Sequence, residues 1–144
     1  MSLSRIFDVA GSGMNAQSLR LNTTASNLAN AESASSSSDR VYRGRHPVFA
    51  TALASKMDDF GFAGQNEDGV AVRVAGIVES QAPLQKRYEP DHPQADKDGY
   101  VYYPNVNVVE EMTNMISASR SFQMNVDVMN SAKQMVQRVL SLGQ

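Results

Sequence analysis

The chain has 144 residues, 42% hydrophobic and 19% charged, with a net charge of −2 and no cysteine. That length suits one domain of ordinary size. The charge balance excludes a basic field able to hold a nucleic-acid backbone. The lack of cysteine excludes disulfides, thiolate metal sites and cysteine nucleophiles, and the chain lacks the run of roughly 18 apolar residues that a transmembrane helix needs. The first thirty residues hold Arg5 and Arg20 but no compact apolar block of the kind a cleaved signal peptide carries. The chain is therefore expected to be cytosolic, or to leave by a route that reads no such signal.

Residues 1–31 form the first expected element, an N-terminal helix. Phe7, Met14, Leu21 and Leu28 recur every seven residues, and Leu3, Ala10 and Ala31 lie on the adjoining row, interrupted by Gln17 and Thr24. This is a coiled-coil-like stripe, with Ser2 and Ser4 as alternative caps. Gly11 and Gly13 each weaken an isolated helix by roughly 1 kcal/mol relative to Ala. Residues 32–40, with the serine-rich tract 33–38, have the composition of a flexible linker.

Residues 41–104 read as a β-rich middle domain. All five prolines fall there, and residues 32–105 carry nineteen of the 28 charged residues. Val41–Phe49 is a candidate strand that Gly44 and Pro47 confine to an edge or a bulge. Phe49, Leu53 and Met57 have helical spacing over a short stretch that stays open, and 58–69 reads as an exposed loop. Val70, Val72, Val74 and Val78 alternate on one face, the pattern of a half-buried strand. Leu84–Tyr88 and Tyr100–Tyr103 are two further strands, with Asp98-Gly99 favouring a turn before the second.

Residues 105–144 are expected to form the C-terminal helix, after Pro104, with Asn105 or Asn107 as its cap and Gly143 as its stop. Val108, Met115, Phe122, Met129 and Val136 make one row. Met112, Val126 and Leu140 make the partner row, interrupted by Ser119 and Lys133. Each terminal helix would be about 45–50 Å long. The fold class is therefore α+β: two long terminal helices pairing as a coiled-coil-like layer, with a small β-rich, proline-containing middle domain.

The polar faces of these helices are uncharged. Residues 1–31 contain twelve Ser, Thr, Asn and Gln against three charged residues, and 106–144 contain fourteen against six. A solvent-exposed helix ordinarily carries Glu–Lys pairs instead. Two readings fit: a simple helical hairpin on a small core, or a subunit whose stripes are covered by stacked copies in a non-closing, filament-forming arrangement.

Reactive chemistry is sparse. His46 and His92 each precede a proline, which marks extended or turn backbone. Asp96, Asp98 and Gly99 resemble part of a calcium loop, but the first and twelfth ligand positions fall on Gln94 and Asn105, where carboxylates are needed. Gly11-Ser12-Gly13 lacks the length of a phosphate cradle. No catalytic residue, cofactor, metal site or small-molecule substrate is expected, so the chain reads as no enzyme. A soluble coiled-coil adaptor would explain the heptads but not the proline-rich middle, and a hydrolase built on His92 has no partner residues.

The segment DVAGSGMNAQSLRLN at 8–22, followed by ASNLANAES at 25–33, resembles the flagellar axial proteins of rod and hook, whose shared motif corresponds to Asn27, Leu28, Ala29 and Asn30. VRVAGIVES at 72–80, YEPDHPQAD at 88–96, GYVYYPNVNVVEEM at 99–112, SASRSFQMNVDVMNSAK at 117–133 and the closing LSLGQ resemble, in order and nearly end to end, the FlgC family of basal-body rod proteins. The serine tract 33–38 departs from the mixed turn more usual there. The resemblance implies a structural subunit of the proximal rod in the periplasm, reached by flagellar type III export. It would self-associate and contact neighbouring rod proteins, a FliE-like adaptor, the distal rod and the export apparatus, with no membrane insertion. The alternative is another rod or hook protein. The expected assembly residues are Phe7, Met14, Leu21 and Leu28 on the first helix, and Met112, Met115, Phe122, Val126, Met129, Val136 and Leu140 on the second. Ile6, Phe7 and Val9 form a short apolar cluster before Gly11. They are either an export signal or the first rungs of the stripe.

Overall fold

The computed structural model describes residues 3–52 and 71–142. The loop read at 58–69, the stretch 53–57, Val70 and the helix stop at Gly143 lie outside them. Helix α1 spans Leu3–Ala29, 27 residues, and α2 spans Val108–Leu142, 35 residues. They are about 40 and 52 Å long. Asn30 closes α1 by donating both its backbone amide and its side-chain amide to the Ser26 carbonyl, at 3.2 and 2.8 Å. Asn107 starts α2: its Oδ1 accepts the amides of Val109 and Glu110 at 3.1 and 3.4 Å.

The helices run antiparallel. Asn27 meets Glu111 and Arg20 meets Asn114 through hydrogen bonds of 3.0 and 2.8 Å. A Cβ on Gly13 would stand 2.9 Å from Asn125 Nδ2, and one on Gly11 3.9 Å from the Met129 methyl. The seam is lined by small and polar groups. Ala10, Thr24 and Asn27 of α1 and Glu111, Ala118 and Ala132 of α2 are buried, each on a heptad row facing the other helix. The two helices come close because these side chains are short.

The contact between the two helices follows a different row from the one traced through the large residues. Met112 and Leu140 turn away from α1, at 51% and 66% exposed, while Val126 between them is half-buried. The inner row lies one residue earlier, with Glu111, Ala118 and Ala132 buried and Asn125 half-buried between them. Side-chain size misled the assignment, because a close helix approach selects short residues and turns long ones to the rim. On α1 the interrupted row, Ala10, Gln17 and Thr24, is the inner one, and Phe7, Met14, Leu21 and Leu28 sit half-buried at its border.

The middle of the chain forms two separate antiparallel pairs. Strands β1 (Arg45–Ala52) and β2 (Ala71–Glu79) make a ribbon, in register from Arg45↔Glu79 to Ala52↔Ala71. Val48 pairs Gly76 while Phe49 pairs Val74, so Ala75 is an extra residue in the ladder. That bulge reverses the alternation. Val78 therefore does not share a face with Val72 and Val74 as its spacing suggested, and it is 54% exposed. Pro47 sits opposite Ile77, tolerated because each strand of a two-stranded ribbon has an open edge.

Strands β3 (Gln85–Tyr88) and β4 (Tyr100–Tyr103) form a hairpin. Gly99 turns into β4 with φ at 77°, a conformation a Cβ would strain, and the Cβ would also lie 2.9 Å from the Tyr88 ring. Tyr88 and Tyr100 pack edge to face at 5.3 Å, and the Lys86 ammonium lies 3.9 Å from the Tyr100 ring centre. The serine tract is not a free spacer. Ser35 exchanges both backbone hydrogen bonds with Tyr102 at 3.0 Å, extending the hairpin by one bridge. Around it Ala31, Val41, Val101, Tyr103, Pro104 and Val106 form a small core at the base of the helices.

Gly13 gives a test of the seam. Gly13→Leu is expected to destabilise the chain by about 1–3 kcal/mol through overpacking against Asn125. The double change Gly13→Ala with Asn125→Ala relieves the clash and adds helix propensity, about 1 kcal/mol in favour. Urea denaturation followed by helical circular dichroism measures both. A Gly13→Leu chain as stable as the parent would mean that the helices do not approach here.

Candidate assembly interface

The four motif residues 27–30 occupy the last turn of α1 and its exit. Asn27 is 1% exposed, and all four hydrogen-bonding positions of its carboxamide are used. Its Nδ2 donates to the Arg45 carbonyl at 2.8 Å and to Glu111 Oε2 at 3.0 Å. Its Oδ1 accepts the Arg45 amide at 2.9 Å and the Tyr42 hydroxyl at 2.8 Å. The two bonds to Arg45 copy what a neighbouring strand would supply, so the carboxamide pairs the open edge of β1. The bond to Glu111 ties the same group to α2. Asn27 thus joins three segments that the sequence separates by 18 and 84 positions. Leu28 is half-buried, Ala29 exposed, and Asn30 is the cap already described.

The remaining expected interface residues divide in two. Phe7, Met14, Leu21, Met115, Phe122, Val126, Met129 and Val136 are half-buried along the helix pair. Met112 and Leu140 face outward. Six further large apolar side chains that sequence reasoning did not single out are also uncovered on α2: Val109, Ile116, Met124, Val128, Met135 and Val139 are between 47% and 72% exposed. On a helical projection Val109, Met112 and Ile116 share one flank, and Met124, Val128, Met135 and Val139 share another. Their heptad phases were visible, but apart from Met112 both flanks lie off the rows that were followed. Ile6, Phe7 and Val9 all sit within the first turns of α1 and are half-buried.

Polar chemistry here is structural. Gln17 Oε1 is a buried acceptor without a protein donor among the described residues. Arg45 and Glu79 pair across the ribbon at 3.0 Å, both about half exposed, which contributes little. Burial pushes the Tyr103 hydroxyl above its ordinary range, and its 3.1 Å hydrogen bond to Glu89 adds to this. A cleft of about 340 Å³ lies beside it, lined by Glu32, Gln85, Arg87 and Asn107 among others. His92 serves its turn, its Nδ1 accepting the Gln94 amide at 3.1 Å. Among the described residues no group of three or more His, Cys, Asp or Glu is placed to hold a metal ion, and no helix is long and apolar enough to cross a membrane.

Two long paired helices, outward apolar flanks and β attachments hung on their base define a structural helical-hairpin subunit. Residues 7–32 match the family described as flagella basal body rod protein, and residues 97–142 match the C-terminal family of flagellar basal body rod FlgEFG proteins. The flagellar basal-body rod protein FlgC of Salmonella typhimurium is 49% identical over 144 residues, covering 100% of both chains. That of Escherichia coli O6:H1 is 48% identical over the same span. That of Borreliella burgdorferi is 38% identical over 149 residues, 99% of this chain and 98% of its own. The chain belongs to the FlgC family of flagellar basal-body rod proteins, a family of structural proteins of the basal body.

The Asn27–Glu111 contact makes a charge-specific prediction. Asn27→Asp places a second carboxylate against Glu111 and removes both donated bonds, and is expected to cost roughly 2–4 kcal/mol. Adding Glu111→Gln, which restores a donor, should recover part of that loss in a double-mutant cycle. Additive effects of the two changes would mean that the side chains do not meet.

Proposed function

We propose that this chain is a subunit of the flagellar proximal rod that polymerises through its terminal helices into a tube, with the β ribbon and hairpin toward the outside. The observation that carries this reading is the pair of uncovered apolar flanks on α2. One α1 covers a single side of α2, and the large residues on the other sides, Met124 and Met135 among them, stay exposed. An exposed apolar surface of this extent on a soluble subunit marks a binding face. The same helix pair presented by successive copies supplies a head-to-tail contact that grows without closing.

Within that reading the partners are other copies, neighbouring rod proteins, a FliE-like adaptor at the start of the rod and the distal rod beyond. The site of action is the periplasmic part of the basal body. The route there is flagellar type III export, and the chain performs no catalysis. A seam of small and polar residues suits export, because it gives the lone subunit only modest stability before its apolar flanks are covered.

Met124→Glu and Met135→Glu test assembly. Both side chains are exposed, so each change should move subunit stability by no more than about 0.5 kcal/mol. Swimming in a strain lacking the wild-type protein should nevertheless be lost while secretion continues. Normal motility from the double variant would reject the α2 flank as an assembly face. Phe122→Ala is a less selective probe, since the ring is already half-buried within the subunit.

Export is tested separately. With residues 1–31 fused to an unfolded reporter, Phe7→Ala is expected to reduce secretion while Leu28→Ala leaves it unchanged. Full secretion with Phe7→Ala would assign Ile6, Phe7 and Val9 to the helix stripe alone.

A further inference from the structure

The β1–β2 ribbon lies along α1 but leaves much of its apolar surface uncovered. Val48, Ile77 and Val78 are about half exposed, and a lone two-stranded ribbon is marginal in water. Away from its root, its tie to α1 by hydrogen bond among the described residues is Val72 N to Ser12 Oγ at 3.1 Å. The root is different. Asn105, which precedes the α2 cap by two residues, accepts the Gly44 amide at 2.9 Å. Its Nδ2 donates to the carbonyls of Ser80 and Ala82 at 3.2 and 2.9 Å. Ser80 closes the ring by donating its amide to the Gly44 carbonyl at 2.7 Å. The next amide, Arg45, goes to Asn27. Two adjacent backbone amides are therefore held by two asparagines, one from the end of α1 and one from the lead-in to α2.

We propose that Asn27 and Asn105 form a joint that sets the direction of the ribbon relative to the helix pair, and that the joint closes only when the helices are paired. Both act as positioning residues. The condition follows from connectivity. Asn27 is completed by Glu111, and Asn105 is carried by the segment that Asn107 feeds into α2. Separating α2 from α1 thus draws the two asparagines apart and releases both strands of the ribbon at once. The β3–β4 hairpin has its own ties, the Ser35–Tyr102 bridge and the Tyr103–Glu89 hydrogen bond, and does not depend on the joint. The joint is a property of the single chain. Its mechanical meaning, that rotation of a helical layer is passed to the outer ribbon through two side-chain amides, rests on the rod reading.

The test uses the full-length soluble protein and so does not depend on that reading. The chain has no cysteine, so Thr51→Cys with Asp127→Cys carries a spin-label pair from ribbon to α2, and Asp91→Cys with Asp127→Cys carries a reference pair from the hairpin loop. Asn105→Ala is expected to broaden the ribbon distance distribution and leave the reference pair and the helical circular dichroism unchanged. It should also speed exchange of the Gly44 amide by about tenfold, the factor that corresponds to the loss of one hydrogen bond. Glu111, whose carboxylate accepts from Asn27, reaches the ribbon through that side chain, so Glu111→Ala should speed exchange at Arg45 through Asn27. A narrow ribbon distribution in Asn105→Ala overturns the joint. So does simultaneous broadening of the reference pair or loss of helix, which would make Asn105 an ordinary stabilising residue. Unchanged Arg45 exchange in Glu111→Ala overturns the dependence on helix pairing. Should Asn27→Ala fail to fold, Asn105→Ala still decides the matter, because Asn105 lies outside the helix seam.

Discussion

The close approach of α1 to α2 is the constraint from which the rest of the molecule follows. It is made by residues that have little to bury: Ala10, Gly13, Ala118 and Ala132, with Thr24 and Asn27 beside them. Apolar burial contributes in proportion to area, so a seam of alanines stabilises a helix pair far less than a seam of leucines. Specific register then has to come from polar contacts, and it does, through Asn27–Glu111 and Arg20–Asn114. The same geometry leaves the large side chains nowhere to go but outward. The subunit is thus weakly bonded within itself and strongly apolar on its flanks, which is the disposition of a part and not of a finished object.

The middle of the chain depends on the helices in turn. Its two antiparallel pairs do not join into one sheet. The largest fully buried side chains among the described residues are Val101, Asn27 and Pro104, so those residues form no substantial β core. What substitutes is side-chain amides acting as backbone surrogates. Asn27 completes the edge of β1, Asn105 clamps the ribbon root, and Ser35 lends its backbone to β4. Each such group satisfies donors and acceptors that would otherwise be buried unpaired.

Much of this was legible in residue order. The heptads marked both helices, Tyr100–Tyr103 appeared as a strand with its present ends, Asp98-Gly99 marked the turn, and Asn107 was one of two proposed caps. What escaped has common physical causes. The inner α2 row was missed because periodicity was followed through the largest residues, and a close helix contact inverts that rule. Gly13 was read as a weakness in a helix, although its value lies in what it lets approach. Val78 was placed by alternation, which cannot reveal one extra residue at Ala75. Asn105 competed with Asn107 as a cap because both suit that position by type, and only the partners at Gly44, Ser80 and Ala82 distinguish them. Asn27 was visible as part of a motif, but its bond to Glu111 spans 84 positions, and no local pattern encodes such a link.

If the outward flanks are the assembly face proposed above, they have a chemical consequence as well as a mechanical one. The chain has eight methionines and no cysteine, so its sulfur is thioether. Met112, Met124 and Met135 are each at least half exposed. Oxidation to the sulfoxide turns an apolar, adaptable side chain into a polar one, and here it would fall on the surface that must stay greasy to be covered. Damage of this kind is therefore confined to the interval between folding and burial. A subunit that waits uncovered accumulates oxygen on the face it needs, whereas one already packed against a neighbour keeps its sulfur out of reach.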